Sequence, residues 1–115
     1  MTVRIYHNPR CSKSRQALQL LQEHAASPEV VEYLKTPPNA GELGRLLDML
    51  GLEPRELMRK GEKEYRESGA DNPGLSRAQL IALMVEHPRL IERPIVVSNG
   101  RAALGRPPER VLDIL

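Results

Sequence analysis

Cys11 is the only cysteine in the chain, and it sits in the run His7-Asn8-Pro9-Arg10-Cys11-Ser12-Lys13-Ser14-Arg15. Behind it, Ala17, Leu18, Leu20 and Leu21 recur on one face of a helix that begins at Ser12. A cysteine at a helix N-terminus faces unsatisfied backbone N–H groups and the positive end of the helix dipole, and both favour the thiolate. Arg10, Lys13 and Arg15 add positive charge nearby, and protonated His7 adds more. Such settings lower a thiol pKa from about 8.5 to roughly 3.5–7.5, and the thiolate is the nucleophile. Ser14, three residues on, is placed to donate its hydroxyl to the sulfur.

The spacing separates this site from other cysteine chemistries. A dithiol oxidoreductase needs C-x-x-C, whereas Cys11 is followed by Ser14 at that position, so any second thiol must come from another molecule. A thiolate phosphatase loop wraps its oxyanion with C-x5-R; here Arg15 stands at C-x3-R and Ala17 fills the other position. A lone cysteine also excludes an internal disulfide framework and a Cys-rich metal site, and no metal is expected. A reducing, cytoplasmic location is the simplest expectation.

The elements that must hold Cys11 can be read on either side of it. Val3 to Tyr6 alternates as a short strand, and the helix from Ser12 fades over His24–Ser27. Val30 to Leu34 reads as a second strand, stopped at Pro37-Pro38. Leu43, Leu46, Leu47 and Leu50 mark a helix with Gly51 as its stop. Pro54 to Met58 reads as one turn, Gly61 to Ser68 as a solvated helix, and Gly69 to Gly74 as a loop. Ser76 and Gln79 form a capping-box pattern ahead of Leu80, Ile81, Met84 and Val85. Ile95 to Ser98, the hairpin signal Asn99-Gly100 and Arg101 to Leu104 follow, then a last helix with Val111, Leu112 and Leu115 apolar.

The order is β-α-β, a helical insert, then β-β-α. This is an α/β chain in the thioredoxin/glutaredoxin arrangement, a mixed sheet whose redox site lies between the first strand and the first helix. We expect one domain over residues 1–115, with the central helical insert spanning roughly 39–91.

Composition agrees. The 115 residues are one domain's worth, 40% hydrophobic and 28% charged. With no Phe or Trp and three Tyr, the core must be aliphatic, and stacking platforms for nucleic acid are disfavoured. A net charge of +2 is too weak to imply a nucleic-acid partner. No stretch approaches the ~18 apolar residues of a membrane span, and the start lacks a signal peptide's apolar run. A monomer is expected.

The segment from His7 to Arg15 resembles the active-site segment of the glutaredoxin-coupled arsenate reductase family, within the thioredoxin-like superfamily. Tyr33-Leu34-Lys35-Thr36-Pro37-Pro38, Leu57-Met58-Arg59-Lys60-Gly61-Glu62, Leu90-Ile91-Glu92-Arg93-Pro94-Ile95-Val96-Val97 and Ala103-Leu104-Gly105-Arg106-Pro107-Pro108-Glu109 are similar to further family segments, in the same order. One departure lies beside the cysteine: Ser12-Lys13 stands where the family usually has small neutral residues, and Arg10 precedes Cys11.

The resemblance implies reduction of arsenate to arsenite, with glutathione as co-substrate, glutaredoxin as partner and no bound cofactor. It makes Cys11 the nucleophile and Arg59, Arg93 and Arg106 the arginines around the oxyanion. His7, Asn8 and Ser14 become supporting residues, and Pro94 the proline that is cis beside the cysteine in thioredoxin-like proteins. His24 and His87 read as structural or exposed, and Lys60, Lys63 and Arg66 as a solvated face. Two other functions share this pattern. One is a regulator of the same fold that binds RNA polymerase, whose redox-switch form needs the second cysteine that Ser14 replaces. The other is a monothiol transferase, which has no need of three oxyanion arginines.

Overall fold

The computed structural model describes residues 2–24 and 27–115. It divides into two compact units, one of residues 1–36 with 93–115 and one of residues 37–92.

The first unit is a four-stranded mixed sheet with helices on one face. Strand β1 (Val3–His7) leads through helix α1 (Ser12–Glu23) to β2 (Glu29–Glu32), and β3 (Ile95–Ser98) turns into β4 (Arg101–Leu104). The spatial order is β2-β1-β3-β4. β2 runs parallel to β1, with Tyr6 opposite Val31; β3 is antiparallel to β1, with Ile5 opposite Val96. This is the thioredoxin-like mixed sheet expected from the element order. The β3–β4 turn follows from its two residues, since Asn99 and Gly100 both take positive φ, 54° and 73°, as a type I′ turn requires.

The core of this unit is aliphatic. Val3 and Ile5 from β1 and Val96 from β3 meet Ala17 and Leu21 from α1, and Val111 and Ile114 close the cluster. The alternation of β1 therefore sends Val3, Ile5 and His7 to the face that α1 covers.

Two boundaries differ from expectation, those of β2 and of the closing helix. β2 starts at Glu29 and stops at Glu32, because the N–H groups of Lys35 and Thr36 both turn back to the Glu32 carbonyl. Tyr33 is buried all the same, so its bulk reads as strand although it lies in the turn. α1 ends at Glu23 with His24 as its C-cap, where the helix is expected to fade; Ala25 and Ala26 of that stretch lie outside the described residues. The closing helix, Pro108–Ile114, is a 3₁₀ helix that buries Pro108, Val111 and Ile114. Those positions are three apart, the 3₁₀ repeat, whereas Val111, Leu112 and Leu115 suggest an α-helix.

The second unit is helical. α2 (Ala40–Leu50) is capped by Asn39, whose side chain accepts from the Glu42 N–H at 2.8 Å, and it stops at Gly51 with φ 67°. A 3₁₀ turn, Pro54–Leu57, and the short α3 (Lys63–Glu67) lead to α4 (Arg77–Glu86). Ser76 and Gln79 form the expected capping box, and Leu80, Ile81 and Met84 are buried. Behind a second 3₁₀ turn, Pro88–Leu90, the chain pairs back on itself: Arg59 N–H donates to the Leu90 carbonyl and Glu92 N–H to the Leu57 carbonyl, each at 2.7 Å. Among the described residues, no helix is long and apolar enough to cross a membrane.

Candidate active site

The cysteine is delivered by a turn built from its own sequence. β1 ends at His7, and Asn8 to Cys11 closes on a hydrogen bond from the Cys11 N–H to the Asn8 carbonyl, 3.0 Å. The Asn8 side-chain oxygen accepts from the Arg10 N–H, and the Arg15 guanidinium donates to the Pro9 carbonyl at 2.8 Å. Cys11 is thereby the N-cap of α1, in extended backbone, with its carbonyl accepting the Arg15 N–H.

Its side chain makes no capping hydrogen bond. The surroundings still favour the thiolate. Burial opposes ionisation most strongly, but it is outweighed by the Ser14 N–H, the charge of Arg93, the Lys13 N–H and a hydrogen bond from Arg93, so the thiol lies below its ordinary pKa. Arg93 is thus a cation acting on the sulfur, and local spacing does not point to it.

Two further expectations are corrected here. Ser14 does not offer its hydroxyl to the sulfur. The side chain is fully buried and lies 2.6 Å from His7 Nδ1, while its oxygen accepts the Asn8 N–H at 3.0 Å. Ser14 serves Cys11 through its backbone N–H and clamps the turn with its side chain. Nor does His7 supply charge. Burial, the largest influence, lowers its pKa; Glu32 opposes this and Arg15 adds to it. Burial thus disfavours the charged imidazole, and His7 positions Ser14 through Nδ1, while Asn8 supports the same clamp through its backbone.

The sign of the His7 shift gives a pH prediction. An unfolded histidine takes up a proton near pH 6.5, whereas folded His7 resists it, so this contribution to stability is present above about pH 6.5 and is lost as pH falls toward the lower folded pKa. Urea unfolding at pH 7.5 and 5.5 should show a steeper acid loss for the wild type than for His7→Asn. Equal losses would show that His7 titrates as an ordinary exposed histidine.

The second half of the site comes from the entrance to β3. The Arg93–Pro94 peptide bond is cis, as expected, and Pro94 is buried. Arg93 sends its guanidinium to Cys11, and its carbonyl accepts from Arg106 Nη1 at 3.1 Å. A second cis bond, Arg106–Pro107, was not foreseen. Gly105 is a site-supporting residue that the sequence pattern also missed. Its N–H donates to the Pro94 carbonyl at 2.9 Å, and a Cβ there would lie 2.7 Å from Pro94 Cγ and 3.2 Å from Val111 Cγ1. Gly105→Ala should destabilise by about 1–3 kcal/mol in urea unfolding, the usual range for overpacking. A variant as stable as the wild type would show that Pro94 has room to retreat.

The first unit thus brings together Cys11, His7, Asn8, Ser14, Arg93, Pro94 and Arg106. Arg59 belongs to the second unit, where its guanidinium pairs with Glu62 at 2.6 Å and both side chains are largely covered. Among the described residues, no cluster of three or more His, Cys, Asp or Glu side chains could hold a metal ion.

Known proteins share this layout. The sequence matches the ArsC family over residues 6–114. It is 55% identical over 114 residues to the uncharacterized protein YfgD of Escherichia coli (strain K12), an alignment spanning 98% of this chain and 96% of that one. It is 49% identical over 114 residues to the arsenate reductase of Neisseria meningitidis serogroup B, spanning 98% and 97% of the two chains. The solved structure of an arsenate reductase from Vibrio cholerae superposes with a TM-score of 0.97 at 54% identity, covering 100% of this chain and 98% of that one. With its cysteine turn, its cis-proline arginine and a match over nearly its whole length, the chain belongs to the ArsC family.

Proposed function

We propose that this protein reduces arsenate to arsenite, with the Cys11 thiolate as nucleophile and glutathione and glutaredoxin as the external thiols. The observation that carries the reading is the Arg93 guanidinium beside the Cys11 sulfur, with Arg106 fastened to the Arg93 carbonyl. A thiolate alone repels an anion that carries about two negative charges. Fixed guanidinium groups offset that repulsion and bind oxyanions bidentately.

In the proposed sequence the Cys11 sulfur bonds to arsenic and an arsenic-bound oxygen leaves as water. The glutathione thiol then bonds to the Cys11 sulfur as the S–As bond breaks, and the electron pair of that bond stays on arsenic. The two sulfurs give up two electrons in forming their disulfide, and As(V) becomes As(III). Glutaredoxin removes the glutathione by thiol–disulfide exchange and restores Cys11. The single cysteine suits this scheme, because both resolving thiols come from outside. Arg59 is proposed as the third oxyanion arginine on the strength of the matching segment around it. The protein needs no bound cofactor in this reading and acts as a cytoplasmic monomer.

The test is NADPH oxidation coupled through glutathione reductase, with glutathione and glutaredoxin present. Turnover should depend on arsenate and on both thiol donors. Absence of arsenate-dependent oxidation, with RNA polymerase retained on the immobilised protein, would replace this reading by the regulatory one.

A further inference from the structure

Two cations beside Cys11 have no task in the chemistry above. Arg10 is exposed and Lys13 partly so. Among the described residues, neither side chain takes part in an ion pair or a hydrogen bond; the backbone N–H of Arg10 is held by the Asn8 side chain, and that of Lys13 faces the sulfur. Arg15 is different, since it ties the Pro9 carbonyl to the helix. No acidic residue occurs between Asn8 and Gln22; the first is Glu23, at the far end of α1. Two uncompensated positive charges therefore stand at positions −1 and +2 around a nucleophile that a second thiol must reach.

We propose that Arg10 and Lys13 form a recognition rim for the carboxylates of a small anionic thiol, so that the thiol exchanging with Cys11 is selected by its negative charge. The proposal rests on the reading of Cys11 as a nucleophile that exchanges with an external thiol. The size of the rim favours a small donor. Arg10 and Lys13 lie within two positions of Cys11 in the chain, so a donor whose sulfur reaches Cys11 needs only the length of a tripeptide, about 10 Å, to bring its carboxylates to them. Glutathione, with two carboxylates and one ammonium group, has the right chemistry. Charges at such separations act mainly on encounter and orientation, and salt screens them.

The test uses the intact protein without arsenate and three aliphatic disulfides of similar size: dithiodipropionate, which is dianionic, hydroxyethyl disulfide, which is neutral, and cystamine, which is dicationic. In each case the Cys11 thiolate bonds to one probe sulfur, the probe's S–S bond breaks and the other half leaves as a thiolate. Rates are followed by mass spectrometry at low salt, at a pH where Cys11 is fully ionised, in the wild type and in R10E/K13E. Circular dichroism checks that the double variant is folded.

Unit charges about 6 Å apart in water change a rate by about threefold each. The double reversal should therefore slow dithiodipropionate by at least about tenfold and speed cystamine, leaving hydroxyethyl disulfide nearly unmoved. High salt should erase the differences. The same change for all three probes would report an altered sulfur and overturn the rim. An unaltered preference would overturn it as well, and would place the selection of the donor on another surface, such as that of a protein partner. If Cys11 reacts with none of the probes, its assignment as the nucleophile fails and the rim with it. If the neutral probe reacts and charge has no influence, only the rim fails.

Discussion

Cys11→Ser is expected to lower arsenate-dependent turnover by more than about 10³-fold, to the background of the coupled assay, while the protein stays folded. Sulfur is the atom that bonds to arsenic and then to glutathione in the proposed sequence. A serine hydroxyl at the same place has no general base within reach, because the neighbouring imidazole is engaged with Ser14. The backbone N–H groups and the Arg93 cation that favour a thiolate do not bring an alcohol into its ionised form near neutral pH. Stability should not fall, since serine is a good helix N-cap and Cys11 makes no side-chain cap of its own. Thermal unfolding checks the second half of this expectation and NADPH oxidation the first. A serine variant that keeps a tenth of the wild-type rate would remove Cys11 from the chemistry.

Much of the route to Cys11 was legible because it depends on local rules. Asn99-Gly100 demands positive φ at two successive residues, and the hairpin follows. Ser76 and Gln79 are spaced for a reciprocal cap, and the helix begins there. The lone cysteine directly before an apolar helical stripe marks the N-cap whatever the rest of the chain does. The parts that were misread depend on what lies across the fold. His7 is written like a cation donor, but β1 turns it to the face covered by α1, and burial disfavours its charged form. Ser14 sits at the spacing of a thiol partner, yet its side chain is buried against His7 Nδ1 and the Asn8 N–H. The local charges of Arg10, Lys13 and Arg15 suggested the source of the electrostatics, whereas the sulfur also receives Arg93, eighty-two positions away in sequence (93 against 11). Gly105 has no local signature at all, because its requirement is the space occupied by Pro94.

Arg93→Ala and Arg106→Ala should each lower turnover by about 10²–10³-fold, the usual loss when one fixed donor to a developing anion is removed. The two variants should nevertheless differ in what happens to the thiol. Arg93 favours the thiolate through its charge and its hydrogen bond, so its removal raises the Cys11 pKa. Arg106 donates to the Arg93 carbonyl, behind the guanidinium that favours the thiolate, so its removal should leave the Cys11 pKa close to that of the wild type. Iodoacetamide alkylation across pH separates them, with the Arg93→Ala curve displaced to higher pH and the Arg106→Ala curve nearly superimposed on the wild type. Arg93→Lys and Arg106→Lys should recover only part of the rate. Lysine restores the charge but not the planar fork that pairs with two oxyanion oxygens, and at position 106 it loses the geometry of the guanidinium donor to the Arg93 carbonyl. Alanine variants with wild-type kinetics would make both arginines surface residues. An Arg93→Ala curve that does not move would assign the thiolate to the helix N-terminus alone, with Arg93 left to act on the oxyanion.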